Sequence, residues 1–131
     1  MPHDLTPEEL AFLQSAFEYA RNGNLDPLVQ MLDAGVPVNL TNSAGDTLLI
    51  LAAYHLQPQV VRVLLARGAD HGRINDRGQT ALAAAAFRQH EVIVSDLLDA
   101  GADPDLGPKS AVAIATFFDL PQMLALLRRS V

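Results

Sequence analysis

A repeat of 33 residues is the feature that most limits how this chain can fold. Three glycines, Gly35, Gly68 and Gly101, follow one another at this spacing. The other residues that keep the spacing are Leu32, Leu65 and Leu98, Gly45 and Gly78, Thr47 and Thr80, Ala52 and Ala85, and Asp70 and Asp103. A fixed period of this length predicts a solenoid of supersecondary units, because each unit must bury its apolar face against the next.

Helix boundary signals recur within each unit. A hydroxyl that follows a turn glycine can accept a hydrogen bond from the first turn of a helix, so Thr47, Thr80 and Ser110 are predicted N-caps of inner helices. A proline then marks the start of a second helix, since its missing amide would be unpaired there. These prolines are Pro27, Pro58 and Pro121. Each second helix ends at a periodic glycine, which predicts an all-α solenoid of about four helix–turn–helix units.

The two ends differ from the middle of the chain. Residues 6–9 read Thr-Pro-Glu-Glu, a capping box that predicts an N-terminal capping helix. Near the C-terminus the loop at residues 105–108 is three residues shorter than its predecessor. We therefore divide one domain into an N-terminal capping repeat (1–41), two repeats (42–74 and 75–107) and a shortened C-terminal capping repeat (108–131).

Composition and the remaining motifs argue against chemistry carried by the chain itself. The 131 residues contain no cysteine, and the four histidines lack the four-residue pairing of a zinc site. Residues 101–110 lack the spacing of a phosphate loop, and no serine lies in a nucleophile-elbow sequence. We expect no catalytic residue, no cofactor and no metal ion. Because no apolar run reaches the roughly 18 residues of a membrane span, we expect a cytoplasmic protein.

Charge is distributed unevenly along the chain. The formal net charge is −6, which disfavours binding to nucleic acid. Residues 62–88, however, carry five arginines and two aspartates. Two interpretations stay open: these arginines keep the surface soluble, or they form a patch that attracts an acidic partner.

The repeated segments resemble the ankyrin repeat. That family's unit carries Gly-x-Thr-Pro-Leu-His-x-Ala-Ala and later Leu-Leu-x-x-Gly-Ala-Asp, which residues 45–53, 78–86, 64–70 and 97–103 match in part. The resemblance covers nearly the whole chain, is similar in style to short bacterial ankyrin proteins, and implies short β-hairpin-like loops. Here Leu48-Leu49-Ile50 replaces the Pro-Leu-His triplet. Because Leu56, Gln89 and Asp119 replace the family's mid-repeat glycine, we expect looser turns between paired helices.

The resemblance also implies a binding surface. Ankyrin repeats present a concave face, formed by the loop tips and the ends of the inner helices. The residues of this chain that we predict to contact a partner there are Asp46, Tyr54, His55, Asp76, Arg77, Gln79, Phe87, Arg88, Phe117 and Phe118. Aromatic residues and arginine dominate interface hot spots, and three successive units carry an aromatic residue at one position: Tyr54, Phe87 and Phe117.

Several alternatives remain open from the sequence. Because an apolar stripe on a helix is usually buried, Phe87 and Phe117 could instead fill gaps between stacked helices in the core. The residues that we assign to the core are Leu48, Leu49, Leu51, Val60, Val61, Leu64, Leu65, Leu82, Val92, Ile93, Leu97 and Leu98.

The predicted function is a non-enzymatic module that binds an unidentified protein, with an acidic patch facing Arg77 and Arg88. The alternatives are an accessory subunit that binds a small ligand or regulates an enzyme, and a self-assembling structural protein. We expect a monomer, or else a dimer through the C-terminal cap, where apolar side chains cluster. These side chains are Leu124, Leu126, Leu127 and Val131.

Overall fold

The computed structural model describes residues 5–129, which form eight α-helices. The helices are α1 (Pro7–Asn22), α2 (Leu25–Asp33), α3 (Leu48–Tyr54), α4 (Pro58–Ala66), α5 (Ala81–Phe87), α6 (Glu91–Asp99), α7 (Ala111–Phe117) and α8 (Pro121–Leu127). His3 and Val131 lie outside the described residues. Between residues 5 and 129 the only bridge of β type joins Thr41 and Thr47.

The helices pack as two rows. The inner row runs α1, α3, α5 and α7, and each of these helices packs against the next. The outer row contains α2, α4, α6 and α8, and each packs against the inner helix that precedes it in the chain. Helices of seven to nine residues are too short to be stable alone in water, so this stacking stabilises them. The predicted all-α solenoid is confirmed, while the unit boundaries at 41, 74 and 107 stay a prediction.

The predicted N-caps are confirmed. The amides of Ile50, Ala83 and Ala113 donate to the hydroxyls of Thr47, Thr80 and Ser110, at 3.0, 3.1 and 3.1 Å. At the N-terminus, Thr6 and Glu9 form the reciprocal capping box. Each inner helix therefore begins at a hydroxyl-bearing residue that holds its first turn.

Helix starts in the outer row follow the prolines less closely. Pro58 and Pro121 are the first residues of α4 and α8, as predicted. Pro27 is instead the third residue of α2. Helix α6 has no such proline, and His90 caps it by accepting a hydrogen bond from the Ile93 amide at its Nδ1, at 3.2 Å.

The expectation of looser turns between paired helices is wrong. Leu56, Gln89 and Asp119 have φ angles of 61°, 57° and 53°, in the left-handed region that Gly23 occupies at 74°. In every pair a backbone amide just beyond the turn bonds the carbonyl five residues earlier, at 2.8–3.1 Å. The four turns thus share one geometry, and the three non-glycine residues carry the strain of a positive φ.

The core follows the repeat with one exception. Alanine and leucine of the inner helices pack against apolar residues of the outer row, and the largest side chains there are fully buried. Leu65 and Leu98 are half-buried against this core, as predicted for core residues. Val92 is 46% exposed, so its assignment to the core is wrong. It lies on the first turn of α6, whose buried residues are Ile93, Val94 and Leu97.

The C-terminal cap offers less apolar surface than expected. Leu127 is buried, while Leu124 and Leu126 are half-buried and pack against the core. The charged residues Arg128 and Arg129 are exposed at this end. These leucines stabilise the fold of the chain itself and offer little apolar surface for a dimer through the C-terminal cap, which stays a prediction.

Candidate binding face

The loop tips of the concave face are organised by two asparagines. The Asn42 side-chain oxygen accepts hydrogen bonds from the amides of Ala44 and Asp46, at 3.0 and 2.9 Å. Asn75, 33 residues later, accepts in the same way from the amides of Arg77 and Gln79. Our sequence analysis missed both asparagines, although they keep the period of the repeat. They hold each tip in a fixed turn.

Neighbouring loop tips are also bonded to one another. The Asp76 amide donates to the Ala44 carbonyl at 3.0 Å, and the Lys109 amide donates to the Gly78 carbonyl at 3.2 Å. Between the first two tips, the Asn75 side-chain amide donates to an Asp46 carboxylate oxygen at 2.9 Å. The three tips therefore form one continuous edge.

Asp46 lies at this edge, but its carboxylate is mostly buried. Only 8% of the side chain is exposed, because Asn75 covers it and Arg77 Nη2 lies 3.9 Å from its Oδ1. The structure thus gives Asp46 a role in joining loops, and leaves little of it for contact with a partner. In contrast, Asp76 and Arg77 are exposed at the next loop tip.

Four aromatic rings of the predicted site form a continuous row. The Tyr54 and Phe87 rings stack at 6.3 Å between centroids and 7° between planes. Phe87 then meets Phe118 edge-on at 5.6 Å, and Phe118 meets Phe117 edge-on at 4.9 Å. These separations lie in the favourable range for aromatic pairs. The row crosses from α3 to α5 and on to the end of α7.

The row is on the surface. Phe87, Phe118 and Phe117 are 40%, 51% and 81% exposed, and Tyr54 is half-buried. The alternative in which Phe87 and Phe117 fill the core is therefore wrong. Phe117 occupies the position in its repeat that Phe87 occupies in the preceding one. The ring that contacts Phe87, however, is that of Phe118.

Arg88 supports the row from one side. Its guanidinium carbon lies 5.2 Å from the centroid of the Tyr54 ring, and its Nη1 donates to the Tyr54 carbonyl at 2.7 Å. The first of these contacts is a cation–π interaction. The hydrogen bond also satisfies a carbonyl at the end of α3. Arg88 is still exposed, so it holds the tyrosine ring and presents charge at the same time.

His55 lies at the polar end of the row. Its ring meets that of Tyr54 edge-on at 5.2 Å. Partial burial lowers the pKa of His55 below its ordinary value, and the nearby cations Arg21 and Arg88 lower it further. Asp46 acts in the opposite direction and is the weakest of these influences. Burial is thus the main cause of the lowered pKa, and the two arginines act in the same direction.

Three clefts follow the concave face. The central cleft, of about 230 Å³, is lined by side chains that include Arg21, Asp46, His55, Arg77 and Gln79. The second, of about 430 Å³, lies beside the aromatic row and is mainly apolar. Its lining residues are Gln79, Phe87, Pro108, Lys109, Ala113, Ile114, Phe117 and Phe118.

The third and largest cleft, of about 650 Å³, lies between α1 and the first loop tip. Leu5, Leu10 and Leu13 contribute from one side and Leu40 from the other. The sequence analysis did not predict this cleft. The signal was available, because α1 begins about two turns earlier than the other inner helices and extends its apolar residues past the first repeat.

The arginines of the basic segment divide between the two sides of the molecule. Arg62 forms an ion pair with Asp96 at 2.8 Å, Arg67 with Asp33 at 2.7 Å and Arg73 with Asp70 at 3.0 Å. The first two pairs join outer helices of neighbouring repeats. Arg77 and Arg88, in contrast, lie on the concave face. Three of the five arginines are therefore paired with acidic residues, while a patch at Arg77 and Arg88 that attracts an acidic partner stays a prediction.

Among the helices of residues 5–129, none has the length and apolar character needed to cross a bilayer. In the same range, no three or more histidine and acidic side chains are grouped so that they could hold a metal ion.

The chain is similar to known ankyrin-repeat sequences. A family model described as ankyrin repeats, in three copies, matches residues 16–107. A Pseudomonas aeruginosa protein whose name describes it as an ankyrin repeat protein is 43% identical over 60 residues. This similarity covers 46% of the chain and 35% of the relative, so the match spans about a third of that protein's length.

Proposed function

Because the chain belongs to the ankyrin-repeat family, we propose that it is a protein–protein interaction module that binds a partner protein through its concave face. Ankyrin repeats are generally modules of this kind. The fold alone names no partner, since specificity lies in the surface residues that differ from one such protein to another. The proposal for this chain therefore depends on its own surface.

The observation that carries the proposal is the exposed aromatic row. The chain has only seven aromatic residues, and four of them contact one another on this face. Phe117 and Phe118 leave much of their apolar area in contact with water, which is unfavourable in free energy. A partner that covers them recovers this free energy, and aromatic residues are typical of interface hot spots.

The polar groups of the face favour recognition over catalysis. Asp46 is bonded to Asn75, and Arg88 is bonded to the backbone of Tyr54. Both groups thus hold parts of the face together. The proposal is therefore of a non-enzymatic module.

The test is an affinity capture from a lysate of the source organism, with quantitative mass spectrometry of the proteins retained. The site variant is Phe118→Ala and the matched control is Phe12→Ala. Both phenylalanines are 51% exposed, but Phe12, on α1, lines none of the three clefts. We expect a partner that is retained by the wild type and the control and reduced at least about tenfold by Phe118→Ala.

Folding is checked first by circular dichroism and thermal melting of all three proteins. If both variants are folded and retain the same proteins in the same amounts as the wild type, binding through the aromatic row is excluded. Loss of the partner from Phe12→Ala alone would instead move the site to α1.

A further inference from the structure

We propose that the concave face binds an extended segment of the partner in which an acidic residue lies between two apolar residues. This inference deepens the proposed function and depends on it. It comes from the order of the three clefts along the face: an apolar cleft at α1, a cleft with positive charge in the centre, and an apolar cleft at α7.

Each cleft shares a lining residue with the next, and the three together form the groove of this proposal. Arg21 lines both the α1 cleft and the central cleft. Gln79 lines both the central cleft and the α7 cleft. A chain that lies in the groove can therefore contact all three regions without leaving the surface. A narrow path of this kind suits an extended peptide, with main-chain groups along the path and side chains in the clefts.

Both ends of the groove expose apolar side chains. At the α1 end, Leu5 and Leu10 are 49% and 47% exposed. At the α7 end, Phe117 and Phe118 project beside Ile114. Each end is thus suited to one aliphatic or aromatic side chain of the partner, which would be removed from water together with the residues it covers.

The centre of the groove is suited to a carboxylate. Arg21 and Arg77 line it, and Arg77 has 63% of its side chain exposed. The acid of this cleft, Asp46, is already occupied by Asn75. Arg21 contacts Glu18 at 2.6 Å through Nη1, which leaves the rest of its planar donor group for a second acceptor.

The charges around His55 also favour an anion in the centre of the groove. Arg21 from α1 and Arg88 from the end of α5 both disfavour its protonation, and their combined effect exceeds that of Asp46 from the loop. Arg77 also lines this cleft. A partner carboxylate placed here would offset these cations, so binding should raise the pKa of His55.

A second copy of this chain is a poorer occupant. Two copies that met with Arg77 or Arg88 near their twofold axis would place like charges close together. Each copy also carries a net charge of −6, which opposes association. A separate partner with an acidic segment has the complementary charge.

The length of the segment follows from helix spacing. Packed helices lie about 8–10 Å apart, so the groove from α1 to α7 crosses three spacings, or roughly 24–30 Å. An extended chain advances about 3.3 Å per residue, so roughly seven to nine residues would span the groove. The acidic residue should lie near the middle, with apolar residues about three or four positions away on each side.

The experiment is selection of random twelve-residue peptides displayed on phage against the purified protein. We expect enriched peptides to share an Asp or Glu with an apolar residue three or four positions before and after it. Fluorescence anisotropy with the best peptide then gives its dissociation constant. Arg77→Glu should weaken binding about tenfold, and a peptide with Lys in place of the acid should bind this variant better than it binds the wild type.

Two controls separate charge at the site from charge elsewhere. Arg62→Gln and Arg77→Gln each remove one exposed arginine, with 59% and 63% of the side chain exposed. Arg62 is on the outer helix α4, so only Arg77→Gln should weaken binding of the peptide. Affinity of the wild type should also rise about threefold from pH 7.5 to pH 5.5, as His55 gains a proton, and this rise should disappear in His55→Gln.

The outcomes distinguish the inference from the proposed function. Enriched peptides that lose affinity with Phe118→Ala but lack the acidic and apolar pattern would overturn the inference and keep the module. Peptides unaffected by changes on the concave face, or no enrichment, would overturn the inference, and the capture experiment would then decide the proposed function alone. Self-association in sedimentation velocity that Arg77→Glu abolishes would show a second copy as the occupant and also overturn the inference.

Discussion

Two inner helices with nearly the same sequence pattern are buried to different extents. Helices α5 and α7 each contain seven residues, follow a hydroxyl N-cap and end at a phenylalanine. Residues 81–86 of α5 are all buried, whereas α7 buries only Ala111, Ile114 and Ala115. The reason is position: α5 packs between α3 and α7, while α7 is the last helix of the inner row.

The comparison shows that the burial of an inner helix depends on how many helices pack against it, and not on its own sequence pattern. It also explains the binding face. Phe87 is partly covered by the rings of Tyr54 and Phe118, while Phe117 projects beyond the last repeat and is 81% exposed. The end of the inner row thus leaves Phe117 and Phe118 more exposed than Phe87.

The largest expected difference between the helices comes from enlarging equivalent alanines. Ala83 of α5 is fully buried, and Ala113 of α7, 30 residues later, is exposed. Ala83→Leu should lower the free energy of unfolding by about 1–3 kcal/mol, because the added atoms have no space. Ala113→Leu should change it by less than about 0.5 kcal/mol. Urea denaturation followed by circular dichroism measures both, and equal effects would contradict the comparison.

The N-caps should behave alike in the two helices, which sharpens the comparison. Thr80→Ala and Ser110→Ala each remove the hydroxyl that accepts a first-turn amide, at a cost of about 1 kcal/mol in the free energy of unfolding. Thr80→Ser keeps the hydroxyl and should recover most of the loss. If Ser110→Ala had no effect while Thr80→Ala did, the cap would depend on stacking and not on local bonding.

The smallest effect is expected at the turns that follow these helices. Gln89 and Asp119 are exposed and have positive φ angles, so glycine should relieve strain at both. Part of this gain is cancelled by the greater freedom of glycine in the unfolded chain, which leaves a stabilisation of at most about 0.5 kcal/mol per site.

The control for these turns is Ala100→Gly, at a helix end with a φ of −80°. This residue has no strain to relieve, so the variant should be less stable than the wild type. Thermal melting compares it with the Gln89→Gly, Asp119→Gly double variant. A double variant that melts below the wild type would show that the left-handed turns carry no strain.

Much of the candidate site could be named from the sequence, but its contacts could not. Tyr54, Phe87 and the two terminal phenylalanines were predicted from their positions in the repeat, and they form the aromatic row. The burial of Asp46 was not predicted, because it depends on Asn75 of the next repeat. The α1 cleft was missed because it needs both the first loop tip and the extra turns of α1.

The sequence by itself determined the pairs of helices and the N-caps of the inner helices, because these depend on spacing along the chain and on hydrogen bonds within three to five residues. Thr47 needs only the amide of Ile50 to begin a helix. The tertiary structure decided which side chains face water and which contact each other. Arg88 bonds to Tyr54, 34 positions earlier, and Phe118 meets Phe87 across the stack. Such contacts depend on how neighbouring repeats pack, and the spacing of residues along the chain does not give the distance between their side chains.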